Sequence, residues 1–464
     1  MLRLKALFYR MISLKKYYEK DYDKTLFYAK KAAKSYVKNR KTFNSKSLED
    51  HLLRCAEKII GKNNAKVTRR IDNNNVGILA STIHDIGGHT ECLMRFSESF
   101  HKEYNLHLFL TNINGDSREK AKTKYAYLEK ILTIVSLEYS KRNFDKKVLS
   151  MLEAILKSHV KMLFVYMDMD DVISSSILAV LKKYTDVKIV FFNHADHAFS
   201  LGFEFTDLII ELRKQGQFIT QNYRKKLNTT IIPLQGTRKS KLLTYSQEEI
   251  NKLKSDMGIF EGDFVSLSGF ASYKVFKDDR NSYLKFIRSL LEREPRLKHV
   301  IVTEISRKEH KKISTVFHGK EKLLDRLIII NRVAEFDLLL QVGDVFVDSF
   351  PLGSALSHID VIKNKRPTII KKNNMNELYT FYNYLYEDYE YAFSDVDEML
   401  EKTLFLIRSK NEQQRIVTKC FQHYLDTYEF DTIKEKYKLL IERHHFLGDY
   451  YMPLDREYKC RISI

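Results

Sequence analysis

From residue 76 onward, short apolar runs alternate with longer stretches whose apolar positions recur at helical spacing. The runs Val76–Ser81, Leu106–Thr111, Met162–Tyr166, Val187–Phe192 and Leu208–Glu211 read as strands, and Thr230-Ile-Ile-Pro-Leu closes this set. A second set follows at Phe264–Phe270, His299–Thr303, Leu327–Ile330, Val345–Val347 and Thr368–Ile370, after which helices run to about His445. Strands alternating with helices predict parallel sheets covered on both faces. The chain before residue 76 has another pattern. Tyr17 to Tyr36 alternates aromatic and basic residues at helical spacing, with Ala29, Ala32 and Ala33 as close-packing positions. That segment predicts a helical hairpin similar to a single tetratricopeptide unit. The charged, Asn-rich piece Gly61 to Asn75 reads as a linker, and Tyr245 to Met257 as a polar helical link. The expected organisation is a helical segment at 1–75, a Rossmann-like domain at 76–240, and a second at 241–464 with trailing helices. In two doubly wound domains, ligands sit in the cleft at the carboxyl ends of the strands.

Composition narrows the class. With 44% hydrophobic and 30% charged residues and only 5 prolines, most of the 464 residues are expected to be ordered and globular. No run approaches a membrane span, and the first dozen residues lack the apolar core and cleavage site of a signal peptide. Cys55, Cys92, Cys420 and Cys460 have no CxxC spacing, so neither a zinc site nor a disulfide framework is expected. These features predict a cytoplasmic protein. The net charge of +19 is spread along the chain without a nucleic-acid-binding motif, which argues against nucleic acid as a partner. Peripheral contact with the anionic inner face of a membrane fits the charge better. Arg3, Lys5, Arg10, Lys15 and Lys16 beside Leu2, Leu4, Leu7, Phe8 and Met11 form a basic amphipathic pattern suited to such an interface. The competing expectation is that this apolar face packs on the first α/β domain.

The segment 345–370 carries the most chemistry. A strand ends at Asp348, a turn holds Pro351 and Gly353, and a helix opens among Ser354 and Ser357 before Arg366 and Pro367 lead to the next strand. The backbone N–H groups of such a turn and the helix dipole behind them suit a phosphate or diphosphate. Asp360, about a turn and a half into the helix, is placed to accept hydrogen bonds from ribose hydroxyls. A plain α/β crossover with Ser and Asp as caps is the competing reading.

Three further clusters matter. His84, Asp85, Gly87, Gly88 and His89 crowd a loop between strand and helix; the glycines allow close approach of a ligand. His89 would face a bound ligand and Asp85 would take a proton from it, unless both only brace the loop. Within Asn193-His-Ala-Asp-His197, His194 and His197 lie after another strand and lack an evident third metal ligand, so contact with a ligand is the better expectation. Asp168-Met-Asp170-Asp171 matches the DxD pattern of metal-dependent GT-A transferases. Asp170 and Asp171 are better read as caps of a helix starting near Val172.

Taken in order, these pieces resemble glycosyltransferases of the GT-B fold, and within them the catalytic region of protein O-linked N-acetylglucosamine transferases and related bacterial enzymes. Three segments carry the resemblance: Asp348 to Asp360, Phe270-Ala-Ser-Tyr-Lys274, and Asn331-Arg-Val-Ala with Val342-Gly-Asp-Val-Phe-Val-Asp348. Ser354-Ala-Leu-Ser357 stands where the family has Gly-His-Thr-Thr, a departure in the diphosphate-contacting side chains. The resemblance implies a nucleotide-sugar site built from Lys274, Arg332, Val333, Ser354, Ala355, Leu356, Ser357 and Asp360. A histidine in the family's corresponding loop implies that His89 orients the sugar or acceptor, with Asp85 taking the acceptor's proton and Gly87, Gly88, His194 and His197 in contact with acceptor or sugar.

The chemistry agrees. Departure of a nucleoside diphosphate develops negative charge, which Lys274 and the helix opening near Ser354 would stabilise in place of a metal. The competing reading of Lys274 is a solvated surface lysine. Retaining GT-B families often place a Glu pair around this loop; Asp348 and Asp360 here favour inversion. The expectation is therefore a metal-independent transferase using a nucleoside-diphosphate sugar, UDP-linked by preference, with no other cofactor. The acceptor would be a surface glycan, a lipid-linked saccharide or a protein. The alternatives are a manganese-dependent GT-A enzyme using Asp168 and Asp170, and a catalytically inactive GT-B-like partner in a glycosylation or export complex.

Overall fold

The computed structural model describes residues 2–443 other than 40, 64–70, 86–87, 237–244, 332–335 and 374–378. The chain divides into two compact units, Met1–Gln235 with the segment from Lys434, and Gly236–Ile433.

The first unit holds β1 (Asp72–Ala80), β2 (Asn105–Leu110), β3 (Thr133–Ser136), β4 (Val160–Tyr166), β5 (Lys188–Asn193), β6 (Leu208–Glu211) and β7 (Thr229–Ile231). Their order is β3-β2-β1-β4-β5-β6-β7, with every pairing parallel. Every residue of β4 is buried, and from Met162 onward this central strand reads as an unbroken apolar run. The chain winds one way from β1 and the other way from β4. Their adjacent carboxyl ends form a topological switch point, where such sheets bind ligands.

Three helices precede the sheet: α1 (Leu2–Tyr18), α2 (Tyr22–Asn39) and α3 (Lys46–Lys62). The first two form the predicted hairpin. Leu26, Ala29, Ala32 and Ala33 of α2, with Leu48, Leu52, Ala56 and Ile59 of α3, join the apolar cluster of the helices Phe144–Lys157 and Val172–Tyr184. The alanines permit that close packing, so the helical segment shares the core of the first unit. Glu49 of α3 is fully buried, and its Oε2 accepts hydrogen bonds from the N–H groups of Gly202 and Glu204, each at 3.1 Å. Burial pushes this carboxyl up to about 8. From the chain beyond Lys434, Tyr437 packs its ring 5.2 Å from that of Phe96.

The second unit holds β8 (Phe264–Gly269), β9 (Leu297–Val302), β10 (Leu327–Ile330), β11 (Val345–Val347), β12 (Thr368–Lys371) and β13 (Ala392–Phe393). The order is β10-β9-β8-β11-β12-β13, again parallel throughout. Val265, Leu267, Val300, Phe346 and Val361 form the heart of its core. Here β8 and β11 flank the switch point. The polar link is a helix, Gln247–Asp256, opened by a capping box in which Ser246 and Glu249 bond reciprocally.

Two strands lie outside the sequence expectations. β3 is a half-exposed edge strand, so it lacks the continuous apolar signal of its neighbours. β13 is two residues long and falls in a stretch whose pattern reads as helices.

Candidate functional site

In the second unit, the segments after β8 and β11 meet at the switch point. Asp348 ends β11 almost wholly buried. Its Oδ1 accepts hydrogen bonds from the N–H groups of Ser349 at 2.8 Å and Ser354 at 3.0 Å, and its Oδ2 lies 3.3 Å from His358 Nε2. This carboxylate therefore ties the turn shut. Gly353 is required at the closest approach, since a Cβ there would lie 2.7 Å from Asp348 Oδ2. The helix Leu356–Lys363 follows, with Ala355 at its N-cap, whose methyl side chain makes no capping hydrogen bond. Ser354 is buried, while Ala355, Leu356 and Ser357 are half-buried at the helix opening, where N–H groups have no partner within the helix.

Lys274 reaches this turn from the short helix Tyr273–Phe276 after β8. Its Nζ donates to the Gly353 carbonyl at 2.9 Å and to Ser354 Oγ at 3.2 Å. An ammonium has three donors, and these contacts use two. Burial lowers its pKa, against an opposing pull from Asp348. Lys274 is therefore not a solvated surface lysine. Beneath the turn, Ser268 Oγ donates to the Val347 carbonyl at 2.6 Å and receives Tyr283 O–H at 2.6 Å. Tyr283 in turn packs its ring 5.4 Å from that of Phe350. This buried support fixes the turn from below. Asp360 is half-buried beside Lys363 Nζ at 3.9 Å, and that lysine also donates to Asp337 at 2.8 Å. Arg332 and Val333 lie outside the described residues.

In the first unit, α4 (Gly88–Phe100) follows the loop after β1. His89 Nε2 is 2.9 Å from the carbonyl of Tyr166, the last residue of β4. A carbonyl only accepts, so Nε2 carries the hydrogen and Nδ1 keeps its lone pair. The His194 ring, placed by the end of β5, is centred 4.4 Å from that of His89. Burial lowers the pKa of His89 and drives that of His194 well down; Asp168 pulls His89 the other way. Two of the expected residues, His89 and His194, thus come together. Gly88 is exposed at the start of α4, Asp85 is exposed nearby, and Gly87 lies outside the described residues. His197 Nδ1 is 3.3 Å from Asp196 Oδ1. Asp196 is held by Arg213 Nε at 2.6 Å, and that guanidinium keeps its carboxyl well below the usual range despite burial.

The Asp168–Asp171 motif divides into two jobs. Asp171 is fully buried and caps the helix Val172–Tyr184 by accepting from Ile173 N and Ser174 N at 2.9 Å each. It also receives the hydroxyls of Ser81 at 2.5 Å, Thr111 at 2.7 Å and Ser174 at 2.8 Å. Asp168 and Asp170 share Asn114 Nδ2, at 2.7 and 3.3 Å. Lys30 of α2 donates to Asn114 Oδ1 at 2.7 Å and to the Ile113 carbonyl at 2.9 Å. A cation is thus already built in beside these carboxylates. Among the described residues, no three His, Cys, Asp or Glu side chains are grouped to hold a metal ion. Lys30 and Asn114 are 84 residues apart, and neither has a local sequence pattern that distinguishes it.

No family model matches the sequence, and no curated protein matches it. Solved structures do match in fold. HepE (Alr3699) of Anabaena, crystallised with UDP and glucose, has a TM-score of 0.61 at 14% identity, covering 79% of this chain and 99% of its own. The O-GlcNAc transferase of Thermobaculum terrenum, solved as a point variant, has a TM-score of 0.54 at 10% identity, covering 92% of this chain and 78% of its own. TarM of S. aureus, solved as a variant with UDP among its ligands, has a TM-score of 0.57 at 11% identity, covering 79% of this chain and 99% of its own. The fold is GT-B. No helix among the described residues is long and apolar enough to cross a membrane.

Proposed function

We propose that this protein is a glycosyltransferase that moves a sugar from a UDP-linked donor with inversion and without a metal ion. The observation that carries the reading is Lys274 Nζ bonded to the Gly353–Ser354 turn ahead of an uncapped helix. A lysine and a helix N-terminus at one turn are two positive poles for a departing diphosphate. The nucleotide would lie over Ser354 to Ser357, its ribose hydroxyls toward Asp360. HepE, which shares the fold, was crystallised with UDP-glucose, and TarM with UDP. In the first unit, His89 supplies a general base, because its hydrogen-bonded Nε2 leaves Nδ1 to accept a proton from the acceptor hydroxyl. The acceptor is a glycan, a lipid-linked saccharide or a protein.

The deciding experiment is a thermal-shift panel of nucleoside diphosphates and their sugars, with EDTA or Mn²⁺, followed by an assay of UDP release. Stabilisation by UDP and a UDP-sugar in EDTA supports the reading. Binding that appears only with Mn²⁺ and disappears on replacing Asp168 and Asp170 would move the donor site to the first unit.

A further inference from the structure

The outward face of α1 carries Leu4, Leu7, Phe8 and Met11, exposed to 71, 40, 58 and 69%. Their spacing forms one stripe along the helix. The opposite face is locked into the protein. Ala6 and Ser13 are fully buried, and Ser13 Oγ donates to the Thr25 carbonyl at 2.7 Å and bonds His51 Nε2 at 2.9 Å. The helix is therefore held by these small residues and by the half-buried Tyr9 and Tyr17, while Leu4, Leu7, Phe8 and Met11 face water. That arrangement overturns the expectation that the apolar face packs on the α/β domain. An exposed apolar stripe of this kind marks a contact surface.

Charge selects the partner. Residues 2–39 contain eleven lysines and arginines against three acidic residues, and α1 itself has no acidic residue. Arg3, Lys5 and Lys15 stand exposed beside the stripe. Lys5, Lys31, Lys34 and Lys38 line, with Leu2 and Tyr9, a groove of about 160 Å³ between α1 and α2. Several water volumes fit in that space, enough for a phosphate headgroup. A second copy of the chain would bring like charges face to face, and protein interfaces are depleted in lysine. An apolar stripe with bases on its flanks suits a helix lying in the plane of an anionic bilayer.

We propose that the α1–α2 hairpin docks this protein on an anionic lipid surface. Leu4, Leu7, Phe8 and Met11 enter the acyl boundary, and the groove lysines meet headgroup phosphates. The proposal does not depend on the catalytic reading. Its test is co-sedimentation of the full chain with vesicles of phosphatidylcholine alone or with about a third phosphatidylglycerol. Binding is expected only to the anionic vesicles and should weaken as salt rises. The triple variant Leu4→Ser, Phe8→Ser, Met11→Ser should lower partitioning more than about tenfold. Lys31→Glu with Lys34→Glu should lower it roughly fivefold or more per lysine. All these positions are at or near the surface, so an unchanged melting temperature and circular dichroism spectrum establish that the variants are folded. Failure of the wild type to bind anionic vesicles, or equal binding by the triple variant, overturns the proposal. So does concentration-dependent dimerisation that the triple variant abolishes, which would assign the stripe to a second copy.

Discussion

Lys274 and Gly353 are 79 residues apart in sequence, and the Nζ of one lies 2.9 Å from the carbonyl oxygen of the other. The sheet order makes this contact. β8 and β11 are neighbours at the reversal of winding, so whatever follows each strand is brought to the same place.

Replacing Lys274 with Ala removes a preorganised positive charge from the proposed leaving-group site. The turnover of UDP-sugar should fall about 10²–10³-fold if Lys274 acts like a donor of that class. Unchanged turnover with an unchanged UDP melting shift would remove the lysine from the site.

For His89→Gln, the expected outcome is a large loss of turnover with an intact UDP-induced melting shift, because the proposed base and the proposed nucleotide site lie in different units. Burial lowers the pKa of His89 below its usual 6.5, so the imidazole is neutral at and somewhat below that pH. Wild-type turnover should therefore hold to below pH 6.5 before its acid limb begins. A pH–rate profile that falls from well above 6.5 would point to another base.

Asp171→Ala strips five donors of their acceptor, three of them buried hydroxyls and two the opening N–H groups of a helix. Urea unfolding should show a loss of about 3 kcal/mol or more. Mn²⁺ should leave wild-type stability unchanged. A manganese-dependent gain in stability that is lost on replacing Asp168 and Asp170 would restore the metal reading of this motif.

Glu49 predicts a pH dependence of stability. Its carboxyl titrates near 4.5 when the chain is unfolded and at about 8 when folded. Between these values the folded state holds a proton that the unfolded state has lost. The stabilisation is complete below pH 4.5 and disappears as pH rises toward 8, by at most about 1.4 kcal/mol per pH unit. Glu49→Gln should flatten this decline in a series of denaturation curves. Parallel curves for variant and wild type would show that Glu49 is ionised in the fold.

The sequence by itself determined the strand–helix alternation, because a strand buried on both faces must be continuously apolar and leaves that pattern in the chain. β6, β10 and β11 lie where the apolar runs place them. It also located Asp171 as a cap, since capping is a contact between residues two or three positions apart. Elements without such a local signature, β3 and β13, were legible only in three dimensions. So were the functional roles of side chains that act across long intervals. In the sequence Asp348 is only the end of an apolar run, whereas burial and the Ser349 and Ser354 N–H groups make it the clasp of the turn. Lys30 could not be singled out among 79 basic residues until the packing of α2 carried it to Asn114. The same packing decided α1: its amphipathic pattern fits either a buried or an exposed apolar face. Only the anchoring of Ala6 and Ser13 turned Leu4, Phe8 and Met11 outward. Periodicity along a chain records which residues share a face, whereas the partner of that face depends on contacts between residues that are far apart in the sequence.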